Sequence, residues 1–224
     1  MEVNKVFNDD CLNIFKVIEN NSIDLVITDP PYKKVQGGCT NHAVKLTGAT
    51  KEDMSSGKFF KENIIGFNEW IPEVYRVLKN DTHCYIFSDD RNLYNILDIG
   101  IKAGFKVLNI LTWKKTKHSP NRYYLKNSEF IVLFRKGKAK NINNMGTFQV
   151  LEFPNVPKKI HPAEKPFDLI ECLLLNSSNP GDLVMDPFSG SGVLMRTCIK
   201  NNRKFICVEK DENYYNSSLI VNNE

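Results

Sequence analysis

Residues 23–32 read IDLVITDPPY, and this stretch decides the fold. Ile23 to Thr28 is a compact apolar run, and it stops at Asp29-Pro30-Pro31-Tyr32. Two consecutive prolines cannot continue a hydrogen-bonded ladder, so a strand must end there and the chain must turn. The same pattern returns downstream, where Leu183 to Met185 runs into Asp186-Pro187-Phe188-Ser189-Gly190-Ser191-Gly192 and then into a helical segment, Val193 to Asn201. Around these two strands the chain alternates. Val3 to Asn8 reads as a strand, and Leu12, Phe15 and Ile18 recur at helical spacing after Asp10, a good N-cap residue. Phe67 to Leu78 is an amphipathic helix, followed by a turn at Asn80-Asp81 and a buried strand from Cys84 to Phe87. Asn92 to Ala103 is a helix stopped by Gly104. Lys106 to Trp113 and Glu129 to Phe134 read as strands that pair directly. Phe167 to Leu175 is a helix, Phe205 to Val208 a strand ending at Glu209, and Glu212 begins a last helix.

Strands alternating with helices predict an α/β fold with a doubly wound, mostly parallel sheet. About seven strands are expected, one of them antiparallel, in a single domain spanning 1–224. Two polar stretches interrupt the alternation. Residues 33–63 are rich in Lys, Gly, Thr and Ser without any period, which predicts a mobile loop over the site. Residues 135–160 form a second, shorter insertion.

The 224 residues suit one α/β domain, and 42% hydrophobic with 25% charged residues is an ordinary globular composition. A net charge of +4 permits nucleic acid without demanding it. Six cysteines show no C-x-x-C pair and no zinc spacing with the four histidines, so no metal site is expected. Reduced cysteines in apolar runs, no signal-like start and no membrane-length apolar run predict a soluble, cytoplasmic chain.

Ligands of doubly wound sheets bind at the carboxyl ends of strands. Four strands here end on or run into an acid: Asp10, Asp29, Asp186 and Glu209. Strand-to-helix turns favour Asp as a cap in any case, but four such ends in one sheet favour a shared ligand. The Gly190-Ser191-Gly192 turn lets backbone approach that ligand. It is neither a P-loop nor the full dinucleotide fingerprint, because no Lys follows and Met195 takes the third glycine position. Glu209, ending the next strand, suits ribose hydroxyls, so an adenosine-containing cofactor is expected.

Asp29 to Tyr32 suits the methylation of an aromatic amine. The lone pair of such an amine is delocalised into the ring, which makes it a poor nucleophile. A carboxylate at Asp29 and the backbone carbonyl of Pro30 would accept its two hydrogens and localise the lone pair. Pro31 would stiffen the turn, and the Tyr32 ring would stack an extruded base.

DPPY after an apolar strand, then HPAEKP (His161 to Pro166), then DPFSGSG, resembles the β class of S-adenosylmethionine-dependent DNA amino-methyltransferases, in which the catalytic motif precedes the cofactor motif. The likeness extends to Asp10-Cys11-Leu12, Arg76 to Lys79, Trp113 to Lys115 and Ser128 to Phe134, most of the chain outside the polar stretches. It implies a circularly permuted Rossmann-like fold and S-adenosylmethionine as cofactor. It also implies roles: Asp186, Phe188, Gly190 and Ser191 on the methionine end, Glu209 on the ribose and Asp10 on the adenine amine. Lys165 would pair with the cofactor carboxylate, and Cys11, Asp29, His161, Ser189 and Gly192 would complete the contacts. Asp29, Pro30, Pro31 and Tyr32 would carry the target amine. Three departures stand out. Val193 replaces the usual Thr or Ser after GSG, Asp9 replaces a Gly, and Asn80-Asp81-Thr82 stands where a Pro-Gly-Gly-like turn is usual.

Double-stranded DNA is the expected partner. Lys33, Lys34, Lys114, Lys115, Lys117 and Arg122, with Tyr123 among them, form the basic and aromatic footprint for phosphates and bases. Lys45, Lys51, Lys58 and Tyr124 belong to the same stretches. Residues 33–63 and 135–160 are the candidate target-recognition segments. The region between Phe134 and His161 is short for a dedicated recognition domain, so a short or relaxed recognition sequence, a homodimer or a separate specificity partner is expected. Adenine N6 is favoured because cytosine-N4 enzymes of this class more often start the tetrapeptide with Ser. An N4-cytosine enzyme, an RNA adenine enzyme and a catalytically silent nucleic-acid-binding partner stay open. A 5-methylcytosine enzyme lacks its Pro-Cys turn here, and a nicotinamide dehydrogenase lacks its N-terminal G-x-G-x-x-G.

Overall fold

The computed structural model describes residues 1–31, 65–119, 123–157 and 164–220. In chain order the elements are β1 (Lys5–Phe7), α1 (Cys11–Val17), β2 (Ile23–Thr28), α2 (Phe67–Val77), β3 (Leu78–Ser88), α3 (Leu93–Ala103), β4 (Lys106–Ser119) and β5 (Lys126–Lys136). After them come β6 (Val150–Glu152), α4 (Phe167–Ser177), β7 (Leu183–Asp186), α5 (Val193–Lys200), β8 (Lys204–Val208) and α6 (Glu212–Ile220). The strands form one sheet in the order β1-β8-β7-β2-β3-β5-β4-β6. Every pairing is parallel except the two made by β5, the single antiparallel strand.

The alternation of side chains along the central strands explains why helices cover both faces. Leu25 and Ile27 of β2, with Tyr85 and Phe87 of β3, pack on one side with Leu169, Leu173, Leu194 and Cys198. Val26, Cys84 and Ile86 point the other way, onto Phe15, Trp70, Val74 and Ile96. A parallel sheet buried on both faces needs near-continuous apolar strands, and IDLVIT is one. Residues 23 and 25–27 are at most 1% exposed.

Helix ends are set by specific groups. Asp10 caps α1, its Oδ1 accepting the Leu12 amide at 3.0 Å. The Arg76 guanidinium donates to the Phe15 and Ile18 carbonyls at 2.6 and 2.9 Å, satisfying the open end of α1. The buried Lys136 ammonium donates to the Tyr75 and Leu78 carbonyls, both at 2.7 Å, at the end of α2. A cation there also meets the negative end of the helix dipole. Gly104 closes α3 at φ 110°, a left-handed conformation that glycine adopts without penalty.

The sheet has eight strands where seven are expected. The extra one, β6, lies inside the 135–160 stretch and buries a single residue, Leu151, so three residues gave no readable period. The same stretch is laced to α4: the Asn143 amide donates to the Asn176 carbonyl at 2.8 Å and its side chain to Leu175 O at 2.8 Å. The turn expected at Asn80-Asp81 is a kink inside β3 instead. Asp81 takes φ 61° while the strand runs on, and its carboxylate accepts the Lys138 amide at 2.6 Å. The strands β4 and β5 are also longer than their apolar cores, extending as a polar antiparallel ribbon. The 33–63 segment lies outside the described residues. Among the described residues no helix is long and apolar enough to cross a membrane.

Gly100 offers a test in which two effects have opposite signs. In a helix interior Gly→Ala normally stabilises by about 1 kcal/mol. Here a Cβ would lie 2.5 Å from Cζ of Phe134, a fully buried ring packed on Phe105. Overpacking wins, so Gly100→Ala should destabilise by about 1–3 kcal/mol in urea unfolding. A gain in stability would refute this packing.

Candidate active site

The site assembles because β2 and β7 are parallel neighbours, Leu25 opposite Val184 and Val26 opposite Met185. Their carboxyl ends bring two distant motifs together: Thr28 Oγ donates to Asp186 Oδ1 at 2.7 Å across 158 residues. The Phe188 amide donates to the same oxygen at 3.0 Å, which shapes the turn after β7. Residues 28–29, 164–165, 186 and 188–191 line one cleft of about 440 Å³, open solvent included, together with Ile27, Phe87, Ile170 and Leu194.

The glycine turn is built for close approach. Gly190 and Gly192 have φ of 51° and 74°. A Cβ on Gly192 would stand 2.9 Å from that of Ser218. Glu209, at the end of β8, accepts the Gly190 and Asp211 amides, each at 2.8 Å. Ser189 is buried, and its hydroxyl has no hydrogen-bond partner among the described residues. Phe188 packs edge-on against Trp70, with ring centroids 5.1 Å apart.

Opposite this acidic wall lies a lysine. The Lys165 ammonium is only 7% exposed and lies 2.5 Å from Asp29 Oδ2 and 3.1 Å from Glu129 Oε2. It also faces the Phe87 ring, 5.1 Å from the centroid. The other oxygen of Glu129 pairs with Lys115, which rests 4.9 Å over the Trp113 ring. The neighbouring Glu164 holds Arg196 at 3.1 Å, and Arg196 donates to Ser191 O at 2.8 Å, coupling the lysine segment to the glycine turn.

Burial and charge pull these groups apart. Burial pushes the Asp186 carboxyl up to about 7, against its bonds from Thr28 and Phe188, and the charges of Asp29 and Glu209 add to the rise. Burial likewise raises Glu209, outweighing its amide bonds. For Lys165 burial favours the neutral amine, but Asp29 and Glu129 prevail and hold it firmly charged. Glu129 has the mirror balance: burial would raise it, and the two lysines hold it below the usual carboxylate range.

Most residues expected at the site converge on it: Asp29, Lys165, Asp186, Phe188, Ser189, Gly190 and Ser191 line the cleft. Gly192 starts α5, Pro30 is buried behind Asp29, and Pro31 is half-buried. Asp10 lies at the far end of the row, where it caps α1 and meets Lys210 at 3.1 Å. The Cys11 side chain points into the core, its thiol pushed up to about 12 by burial, so only its backbone can face a ligand. Tyr32, Lys33, Lys34, Arg122 and His161 lie outside the described residues. Of the basic residues, Lys114 pairs with Glu152 at the surface, Lys117 is exposed, and Tyr123 is 79% exposed. Lys115 is partly buried and pairs with the partly buried carboxylate of Glu129. Glu129 was missed as a site residue. Its only sequence signal is an acid beside the start of an apolar strand.

The Asp186 balance has a consequence for stability. A carboxyl raised in the folded state stabilises below its unfolded value, near 4, and loses that contribution as pH rises through about 7. Asp186→Asn keeps the oxygen that Thr28 and Phe188 bond. It should therefore be more stable than the natural chain at pH 8, by about 1–4 kcal/mol. The gap should close on acidification. Urea unfolding at pH 5, 7 and 8 checks this, and a variant less stable at pH 8 would contradict it.

A family model described as DNA methylase matches residues 23–221. The Type II methyltransferase M.HpaI of Haemophilus parainfluenzae is 31% identical over 235 residues, covering 91% of this chain and 70% of that protein. The crystal structure of the M1.HpyAVI–SAM complex superposes with a TM-score of 0.72 at 24% identity, over 97% of this chain and 98% of the other. The PvuII DNA methyltransferase, described as cytosine-N4-specific, gives 0.74 at 19% identity, over 96% of this chain and 84% of the other. At these identities the two structures speak to the fold, which is the same permuted α/β arrangement.

Proposed function

The chain belongs to the DNA methylase family, and from that premise we propose that it transfers a methyl group from S-adenosylmethionine to N6 of adenine in double-stranded DNA. One observation carries the reading: Asp29, the first residue of the proline turn, opens onto the same cleft as the Asp186–Ser191 turn. An amine acceptor and a cofactor cradle are thereby within reach of each other.

The residues present suit the cofactor. Its sulfonium and ammonium are cationic, and three strand ends offer carboxylates: Asp10, Asp186 and Glu209. Both Glu209 oxygens already accept amides, which fixes the carboxylate for a ribose diol with lone pairs to spare. Ser189 brings a buried hydroxyl that is unmatched among the described residues, and the left-handed glycines allow backbone contact. When bound, the cofactor supplies an electrophilic methyl group on sulfur. Lys165 is assigned to Asp29 rather than to the cofactor carboxylate, because its ammonium is seated between two side-chain carboxylates.

The chain's own work is to make a poor nucleophile better. Asp29 accepts one hydrogen of the target amine and the Pro30 carbonyl accepts the other, which returns the delocalised lone pair to nitrogen. The buried Lys165 ammonium pairs with Asp29 at 2.5 Å, and a charge-paired carboxylate makes a stronger acceptor bond than a neutral group. The base must leave the duplex to reach this cleft, and the Tyr32 ring is assigned to stack it. DNA is expected at the carboxyl ends of the strands. The exposed Lys117 and Tyr123 lie toward that end of the β4–β5 ribbon. Target recognition is assigned to the polar segments together with a second copy or a separate specificity subunit. The Type II naming of the relative supports a modification role in a restriction system.

Adenine and cytosine amines need the same pair of acceptors, and the cytosine-N4 enzyme shares this fold, so nucleoside analysis must choose between them. Mass spectrometry of plasmid DNA methylated in vivo should find N6-methyladenine. N4-methylcytosine in its place would move the assignment to cytosine. Asp29→Ala should abolish transfer of tritiated methyl groups while cofactor still binds, and retained turnover would sink the mechanism. Tyr32→Ala should slow turnover more than Tyr32→Phe, because stacking needs the ring; equal losses would count against it. A cation beside Asp186 favours its ionised form, so cofactor affinity should rise as pH increases through about 7. Calorimetric titration showing a flat or falling affinity would contradict that.

A further inference from the structure

Four side chains from four parts of the chain form an alternating line of charge that leads into the cleft: Lys115 on β4, Glu129 on β5, and the cleft residues Lys165 before α4 and Asp29 after β2. The signs run plus, minus, plus, minus, so the line is neutral as a whole. Only Asp29 touches the amine in the mechanism above. Lys115 and Glu129 have no part in that mechanism, yet their placement is costly. The Glu129 and Lys115 side chains are 26% and 16% exposed, and the Lys165 side chain 7%. Partly buried carboxylates are retained only when paired, and this one is paired on both oxygens.

The arrangement is also directional. The antiparallel pairing puts Glu129 directly opposite Trp113, two residues before Lys115, and the Trp113 indole is pinned by donation to Phe153 O at 2.9 Å. Lys115 lies over that ring, so its ammonium is located by ring and carboxylate together. Glu129 then holds Lys165 through its second oxygen, Oε2, at 3.1 Å. An ammonium on a four-carbon stem has many rotamers, and one carboxylate alone leaves it free to swing. With Glu129 in place, Lys165 is directed at Asp29 Oδ2, and that contact helps to orient the Asp29 carboxylate.

We propose that Glu129, backed by Lys115, is a positioning residue for methyl transfer: it clamps Lys165 so that Lys165 fixes the orientation of Asp29 toward the target amine. This rests on the assignment of Asp29 as the amine acceptor. Reaction geometry is sensitive to displacements of about 1 Å, which cost about 100-fold in rate. Loss of the clamp should therefore appear in the chemical step rather than in binding.

The test uses the full chain with S-adenosylmethionine and methylatable plasmid DNA. Glu129→Gln keeps the shape and removes the charge. Its single-turnover rate should fall about 10- to 100-fold, while cofactor Kd and KM for DNA change less than about threefold. Its melting temperature should stay close to that of the natural chain. Lys115→Met should give a smaller loss of the same kind, and adding it to Glu129→Gln should cost little more, since both act through one contact. Glu129→Asp, which retains the charge, should recover part of the rate. An unchanged rate for Glu129→Gln would overturn the proposal. So would a loss that follows the melting temperature, a loss confined to cofactor Kd, or additive effects of the two substitutions. A natural chain that transfers no methyl would overturn the functional reading and this proposal together, whereas an active natural chain with an equally active variant overturns the proposal alone.

Discussion

The adjacency of β2 and β7 is the constraint on which the rest of this molecule depends. The two strands are far apart in sequence, and their parallel pairing is what sets Thr28 against Asp186 and Asp29 beside the glycine turn. Parallel strands need long right-handed crossovers, and those that leave β2 and β7 carry helices that cover the faces of the sheet. The helices in turn require both faces of the central strands to be apolar. Leu25 and Ile27 on one side and Val26 on the other meet that demand. Carboxyl ends of neighbouring parallel strands point the same way, so every strand that ends in an acid adds to one edge. Core packing and site assembly are two outcomes of one topology.

That edge gathers more negative charge than a buried environment tolerates, and the structure answers in two ways. Asp186 is relieved by its surroundings only in part, so its carboxyl is left ready to hold a proton near neutrality. Asp29 is matched instead by a buried ammonium. On the proposed reading the difference follows from what each carboxylate would do. Asp186 would meet a cationic ligand that neutralises it, whereas Asp29 would accept a hydrogen bond from a neutral amine and so needs a resident counter-ion, which Lys165 supplies. Lys165 is in turn paired with Glu129.

Much of this was legible in the residues, for identifiable reasons. The strands β2 and β7 could be read because proline and glycine end them abruptly, and Asp186 to Gly192 could be read because a strand, a glycine turn and a helix follow without a gap. The capping role of Asp10 followed from its place before a helical period, and Gly104 from its place after one. What escaped notice lacked a local signature. The strand β6 buries one side chain, so its three residues look like loop. The polar ribbon beyond Trp113 is held by backbone pairing, which polar residues do not announce. Lys115 looked like one more surface lysine among several, because its partner Glu129 is near only once β4 and β5 have paired. The salt bridge between Arg196 and Glu164 is invisible for the same reason, as its members belong to different motifs.

That last contact bears on how the cofactor cradle and the amine acceptor could work as a unit. Arg196 lies on α5, one turn beyond the glycines, and reaches both the Ser191 carbonyl and Glu164. Glu164 precedes Lys165, which in turn holds Asp29. Arg196 thus ties the glycine turn to the lysine segment, and Lys165 ties that segment to Asp29. The path is short, made of charge-assisted bonds and largely screened from water, which is where such bonds hold geometry best. The two halves of the site are joined twice, by the strands beneath them and by this bridge above.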